Sequence, residues 1–205
     1  MCYETKPSAK NIKKRVADFY KKKPYEKENY LASLELTKAF LKNDNYRNIF
    51  IKVNFINSAF KTNIRDTSGV ARTIYQEVKD VDMRLKSGDT ELVNEIANYK
   101  SPIGKSWHFN SFATKFCHCH RPELFPINDK YVRKSLFEFN RHHKFSKPFR
   151  EKALFDDYYF FKNVYTDFIR FVHGDKLDMA TIDRFLWALG REQEEKRKNN
   201  KNKEK

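Results

Sequence analysis

The sequence predicts a compact, many-helix, all-α protein, and three observations carry that expectation. Apolar residues recur every three or four positions through most of the chain, the period of a helix with one buried face. Only 5 Gly and 6 Pro are available for hairpins and tight turns. The 19 Phe and 11 Tyr supply the bulk for one core of ordinary size within 205 residues, so residues 1–190 are expected to form a single domain.

Composition also bounds the setting. The odd count of 3 Cys and the lack of an apolar leader predict a reduced, cytoplasmic protein without a disulfide framework. No stretch approaches the length of a membrane span, so no membrane partner is expected. The net charge of +15 creates a field that attracts polyanions and supplies phosphate contacts, which makes nucleic acid the leading partner. Residues 191–205 hold seven Lys or Arg against four Glu and no apolar residue, and are expected as a disordered basic extension; residues 1–190 still carry +12.

Residues 1–7 read as a loose arm. Ser8 is placed to cap a helix running to about Lys23, with Ile12 and Val16 inward and its lysines either gripping phosphate or simply solvated. Pro24 ends it. A second helix, from about Glu26 to Lys42, carries Tyr30, Leu31, Leu34, Leu36, Ala39, Phe40 and Leu41 around much of its circumference and is expected in the core. The third, from about Tyr46 to Phe60, has Ile49, Val53 and Ile56 at helical spacing and reads as the central buried helix. Asp66 or Ser68 caps a helix to Lys86, closed by Ser87-Gly88, and a shorter helix runs from Asp89 to Tyr99.

The stretch from Trp107 to Leu136 organises the rest. A helical pattern through Phe109, Phe112, Phe116 and Cys119 ends at Arg121-Pro122, and the turn Phe125-Pro126-Ile127 delivers Asn128 and Asp129 to a new helix reaching about Asn140. Asp129 is then either a plain N-cap or a carboxylate presented at a helix N-terminus. Lys130 and Arg133 in the first turns oppose the helix dipole, which points to an anion nearby. Cys117-His118-Cys119-His120 offers residue types that zinc prefers, yet only Cys117 and His120 share a face, so no metal and no other cofactor is expected. After a basic loop from Arg141 to Pro148, one long aromatic helix is expected from Phe149 to Val172, ended by His173-Gly174. The last helix runs from Asp178 to Gly190.

Helix, apolar turn ending in Pro, then Asp leading a basic helix resembles the second half of the helix-hairpin-helix superfamily of DNA glycosylases. The residues Ala113 to Cys119, followed by Pro122, Phe125-Pro126-Ile127, Asp129 and Val132, look like a compact bacterial branch of oxoguanine-glycosylase-like proteins, some of which serve in defence against phage. Asn57 to Ile64 and Ile182 to Gly190 look like the same branch. The resemblance implies two helical lobes with a cleft near residues 57–64 and 100–135. It makes Asp129 catalytic, and it puts Asn57, Asn63 and Lys61 beside the gap left by an extruded base, although an ordinary Asn-rich helix end reads the same way.

Two departures from the family pattern are visible. The Gly-rich hairpin that holds a duplex phosphate is replaced by Lys100 to Ser106 with one Gly, so the hairpin is degenerate; Lys100, Ser101, Lys105 and Ser106 bind phosphate by side chain and amide, or the segment is a linker. Nineteen residues before Asp129, where bifunctional relatives carry a Lys, stands Asn110. Lys115 points elsewhere, since five residues of helix turn through roughly 500°. The resemblance therefore implies a monomeric, monofunctional glycosylase acting on double-stranded DNA with a flipped base, with Trp107, His108, Asn110, Lys115 and His118 lining or backing the base pocket. A non-catalytic nucleic-acid binding protein and a metal-dependent nuclease are the competing classes.

Overall fold

The structure, a computed structural model, describes residues 3–40, 42–173 and 176–203. Leu41 and Gly174, expected as an apolar position and a helix end, lie outside the described residues. The protein is all-α: among the described residues there are eleven helices and one two-stranded antiparallel ribbon. They gather into two compact units, Lys23–Ile127 and Met1–Lys22 with Asn128–Lys205. No helix among the described residues is long and apolar enough to cross a membrane.

In the unit Lys23–Ile127, α2 (Pro24–Ala39) starts on Pro24, whose missing N–H is no loss at a first helical position. The leucines expected in its core do not lead there: the buried residues are Ser33 and Thr37, and Leu31 is exposed. Their hydroxyls donate to the carbonyls of Asn29 and Ser33, at 2.7 and 2.6 Å, so both are satisfied where water is excluded. An apolar stripe most of the way round a helix does not decide which side packs; the small residues do, by letting a neighbour approach.

The central helix, α3 (Tyr46–Phe60), is capped by Asn45, which accepts from the Asn48 amide, and buries Ile49, Val53 and Ile56 as expected. It also buries Lys52 completely. The Lys52 ammonium donates to the carbonyls of Phe40 (2.8 Å) and Lys42 (3.2 Å) and to Oδ1 of Asn43 (2.5 Å), and lies 3.2 Å from Nε2 of His120. Asn43 in turn donates through its main chain (3.0 Å) and its side chain (2.6 Å) to Asp82. Burial draws the Lys52 pKa down to about 8 against the pull of Asp82 and Asp44. Burial, with the Lys52 charge beside it, lowers His120 to about 3.

The single helix expected from Gly69 to Lys86 is two: α4 (Thr67–Glu77) and α5 (Val81–Ser87). Val78 is extended and Asp80 takes a left-handed φ of 52°, a conformation that a short polar side chain tolerates. The next helix, α6 (Glu91–Ala97), stops before Tyr99. Asn98–Lys100 and Ser106–His108 form β1 and β2, paired Asn98 with His108, Tyr99 with Trp107 and Lys100 with Ser106. Tyr99 is buried while its neighbours face water, the two-residue alternation of a strand. The last helix of the unit, α7 (Asn110–His120), ends at Arg121 as expected.

The other unit comprises α1 (Ala9–Lys22), α8 (Lys130–His143), α9 (Glu151–Asp156), α10 (Tyr158–Phe171) and α11 (Met179–Lys203). Ser8 does cap α1, its hydroxyl accepting from the Asn11 amide at 3.2 Å. The expected loose arm is docked: Tyr3 is buried, edge-on to Phe139, and its carbonyl accepts from His143 at 2.8 Å. The long aromatic helix is broken at Asp157, whose carboxylate accepts from the Phe160 amide (2.9 Å) and so starts a new helix. Arg141 to His143 belong to α8 rather than to a loop. Gly190 lets α11 close on α8, since a Cβ there would meet the Tyr131 carbonyl at 2.5 Å. Residues 191–203, expected as a disordered extension, continue α11, with Arg191–Glu195, Glu192–Lys196 and Glu194–Lys198 pairs one turn apart.

His120 and Lys52 both bind protons less readily folded than unfolded, so each contributes stability that is lost as pH falls. The windows are about pH 6.5 down to 3 for His120 and about 10.5 down to 8 for Lys52. Between pH 6 and 5, above the range where carboxylates titrate, the His120 contribution should be a loss of about 1.4 kcal/mol per pH unit in urea unfolding. His120→Gln is expected to flatten that slope; an unchanged slope would show His120 is not the group responsible.

Candidate nucleic-acid site

Three of the expected DNA-facing segments lie in the unit Lys23–Ile127, and a few hydrogen bonds bring two of them together. The first is the turn after α3. Asn57, expected to fill a base gap, is instead its internal brace: Nδ2 donates to the Ile64 carbonyl (3.0 Å), and Oδ1 accepts from the Thr62 hydroxyl (2.7 Å) and the Ile64 amide (3.0 Å). These three bonds hold the side chain against its own turn, fixing it away from the role of a mobile gap-filling group. Lys61 and Asn63 take positive φ of 52° and 61° on this turn, and both are exposed, as is Arg65, which no motif in the sequence singles out.

The turn ends at Asp66, the cap of α4. One carboxylate oxygen accepts from the Gly69 amide (2.8 Å) and the other from the hydroxyl of Tyr99 on β1. These bonds hold the Asp66 carboxyl below its ordinary range, and the carboxylate pushes Tyr99 up to about 12. Gly69 is required by the clamp, because a Cβ would fall 2.3 Å from both Asp66 Oδ2 and the Tyr99 hydroxyl. The turn bearing Asn63 and the ribbon bearing Lys100 to His108 are thereby fixed to one another.

The degenerate hairpin expected from the sequence is thus a β-hairpin. Its turn is closed by Ser101 N–H to the Lys105 carbonyl (2.8 Å), Gly104 N–H to the Ser101 carbonyl (2.9 Å) and Lys105 N–H to the Ser101 hydroxyl (3.1 Å). Ser101 therefore frames the turn, while Lys100, Lys105 and Ser106 are exposed. Trp107 is exposed and lies parallel to Phe109 at 6.2 Å, and Phe109 stacks in turn on Tyr99. His108 is exposed as well, with Nδ1 2.8 Å from the Asn98 side chain. Trp107 and His108, expected to line or back a base pocket, are on strand β2, just before α7.

On α7, Asn110 and Lys115 are buried. The Lys115 ammonium donates to the Ser111 hydroxyl (2.6 Å) and lies over the Phe60 ring. His118 is fully buried; a carbonyl can only accept, so Nδ1 donates to Phe125 (2.8 Å), and Nε2 is 3.1 Å from the Tyr30 hydroxyl. It fastens the Phe125-Pro126 turn to α7. Cys117 and Cys119 are free, buried thiols raised by desolvation, Cys119 to about 12. Among the described residues no group of three or more His, Cys, Asp or Glu is placed to hold a metal ion.

Asp129 belongs to the other unit. It is the N-cap of α8, accepting from the Tyr131 amide at 2.7 Å, and is half-buried. Beside it Asn128 is buried and donates to the Leu154 carbonyl (2.7 Å). Arg133, expected on DNA, folds back: it donates to Asn128 Oδ1 (2.9 Å), covers the Phe155 ring at 5.0 Å, and feels the Asp129 charge while burial lowers its pKa. Lys130 is exposed but pairs with Glu194 at 3.3 Å. Phe155, which sequence could not single out among the aromatics, lies under Arg133 of α8 and keeps 38% of its surface exposed.

Residues 11–124 match the family model HI_0787_N, an N-terminal domain. The chain belongs to this family. A Haemophilus influenzae protein of strain Rd, carrying the name Uncharacterized protein, is 39% identical over 178 residues, which cover 85% of this chain and 84% of that relative. No solved structure matches. The family domain contains the Asn57 turn, the hairpin and α7, and ends before Asp129.

The clamp gives a direct test. Asp66→Asn keeps a capping side chain but removes the charge, so the Tyr99 titration, followed by NMR, should fall from about 12 toward 10. Gly69→Ala should displace both partners and cost about 1 kcal/mol in unfolding experiments; a neutral Gly69→Ala variant would show that the clamp gives way freely.

Proposed function

We propose that the protein is a monofunctional DNA glycosylase of the helix-hairpin-helix type, which flips a modified base from duplex DNA and hydrolyses its glycosidic bond to leave an abasic site. The observation that carries this reading is the Asp129 carboxylate at the N-terminus of α8, set by the Tyr131 amide on a turn whose neighbour Asn128 is locked to Leu154. Cleavage passes through an oxocarbenium-like sugar, and a carboxylate beside the ribose stabilises that charge and directs water at the anomeric carbon. Asn110 stands where a Schiff-base lysine would, and the Lys115 ammonium is turned to Ser111, which favours water as the nucleophile. Asn63, exposed at the tip of its braced turn, is the residue for the vacated space, and Lys61, Lys100 and Lys105 are the exposed cations for phosphate. The enzyme works as a cytoplasmic monomer on damaged guanine or on the modified bases of phage DNA.

Asp129→Asn preserves the cap while removing the charge, so base release from a panel of modified duplexes should fall by about 10²- to 10³-fold with DNA binding retained. Wild-type rates in that variant would end the assignment. Borohydride treatment during turnover should trap no covalent protein–DNA complex; a trapped complex would make Lys115 the first candidate nucleophile.

A second reading, a binding protein without catalysis, is favoured by the same cap: an Asp129 that only holds the Tyr131 amide needs no other role. Absence of base release from every modified duplex and from hypermodified phage DNA, with duplex binding intact, would select it.

A further inference from the structure

Ile103 is 79% exposed and Trp107 52% exposed, and they occupy one hairpin of eleven residues, Asn98–His108. Single exposed apolar side chains are ordinary, but this ribbon carries two: Ile103, with Pro102 next to it, makes an apolar tip, and Trp107 lies at the root, opposite Tyr99. Lys100 and Lys105 flank that tip and are exposed, and no acidic residue occurs between Glu95 and Glu123. The ribbon is stiff where it matters. Its root is tied by the Tyr99–Asp66 bond, and its turn by the three bonds around Ser101, with Gly104 at a φ of 78°.

We propose that this hairpin is a duplex wedge: Ile103 inserts into the base stack, Trp107 offers its ring to an unstacked base, and Lys100 and Lys105 meet the flanking phosphates. Charge selects a polyanion as the occupant, and a flat, exposed indole on the same ribbon, nearer its root, suits a base face. Reach fits. From Tyr99 to the tip is roughly 10 Å at strand rise, comparable with groove depths of about 7.5 to 8.5 Å. The wedge rests on the DNA reading above and adds to it the element that opens the stack.

The chain has two tryptophans, so Trp187→Phe leaves Trp107 as the sole indole reporter. On titration with a short duplex carrying one unpaired base, Trp107 emission is expected to be quenched to saturation. Ile103→Ser, a change at an exposed tip that leaves the fold alone, should bind an intact duplex about tenfold more weakly while binding the already kinked, bulged duplex like the wild type. Trp107→Phe in the wild-type background should abolish the quench. If duplex binds and base is released while Trp107 stays silent and Ile103→Ser behaves as wild type, the wedge is wrong and the glycosylase reading survives. If no duplex binds, both fall. Quenching by anionic phosphatidylserine vesicles but not by DNA would assign the tip to a lipid surface and overturn the wedge.

Discussion

One ammonium group, sealed from water beneath the end of α2, constrains most of the unit Lys23–Ile127. Lys52 gathers the carbonyls of Phe40 and Lys42, the Asn43 amide and the His120 ring, and through Asn43 reaches Asp82 on α5. A charge buried this way is tolerated only when its donors are all used, and removing it would strand several acceptors at once. The consequence is orientation: α3 is held by its middle, so its far end delivers the Asn57 turn in one place, and α7 is held by its last residue, His120. The Asn57 turn and α7 are therefore carried on a frame whose rigidity comes from a polar knot and not from the leucines of α2.

Much of this is legible in the chain and some of it is not, for reasons that can be named. Helices built on strict three- and four-residue spacing, α1, α3, α7 and α8, emerge close to their expected limits, and Asp66 and Asp129 emerge as caps because capping is local chemistry. The breaks at Asp80 and Asp157 escape a reading of periodicity because the apolar pattern carries on across them, while the left-handed backbone at Asp80 and the carboxylate cap of Asp157 each start a new helix. The hairpin escapes it because three-residue strands carry almost no periodicity, and what fixes them is Tyr99 finding Asp66, thirty-three positions away. Lys52 sits inside an apolar pattern that offers no hint of a buried cation. Of the candidate site residues, Lys61 and Asn63 on their turn and Lys100 and Lys105 on the hairpin are exposed, while Asn57, Arg133 and His118 are bound to groups close to them in sequence.

The family domain gives these assignments a further division. It closes at residue 124, just short of the Phe125-Pro126-Ile127 turn, and the compact unit that contains most of it closes at Ile127. The braced turn and the hairpin thus travel with the family's N-terminal domain, and Asp129 with the sequence after it. The relative from Haemophilus influenzae extends the likeness over 85% of the chain, so the match to it continues beyond that domain.

The hairpin turn is constrained in length as well as in shape. Side chains on a strand alternate faces, so inserting or deleting a single residue between Ser101 and Lys105 would leave every hydrogen-bonding group of β2 available yet reverse the face of each of its side chains. Trp107 would exchange places with its neighbours and lose Phe109 beneath it, and Tyr99 would face Ser106 or His108. Among sequences of this family, the spacing between the tyrosine and the tryptophan should therefore vary less than the residues that fill it.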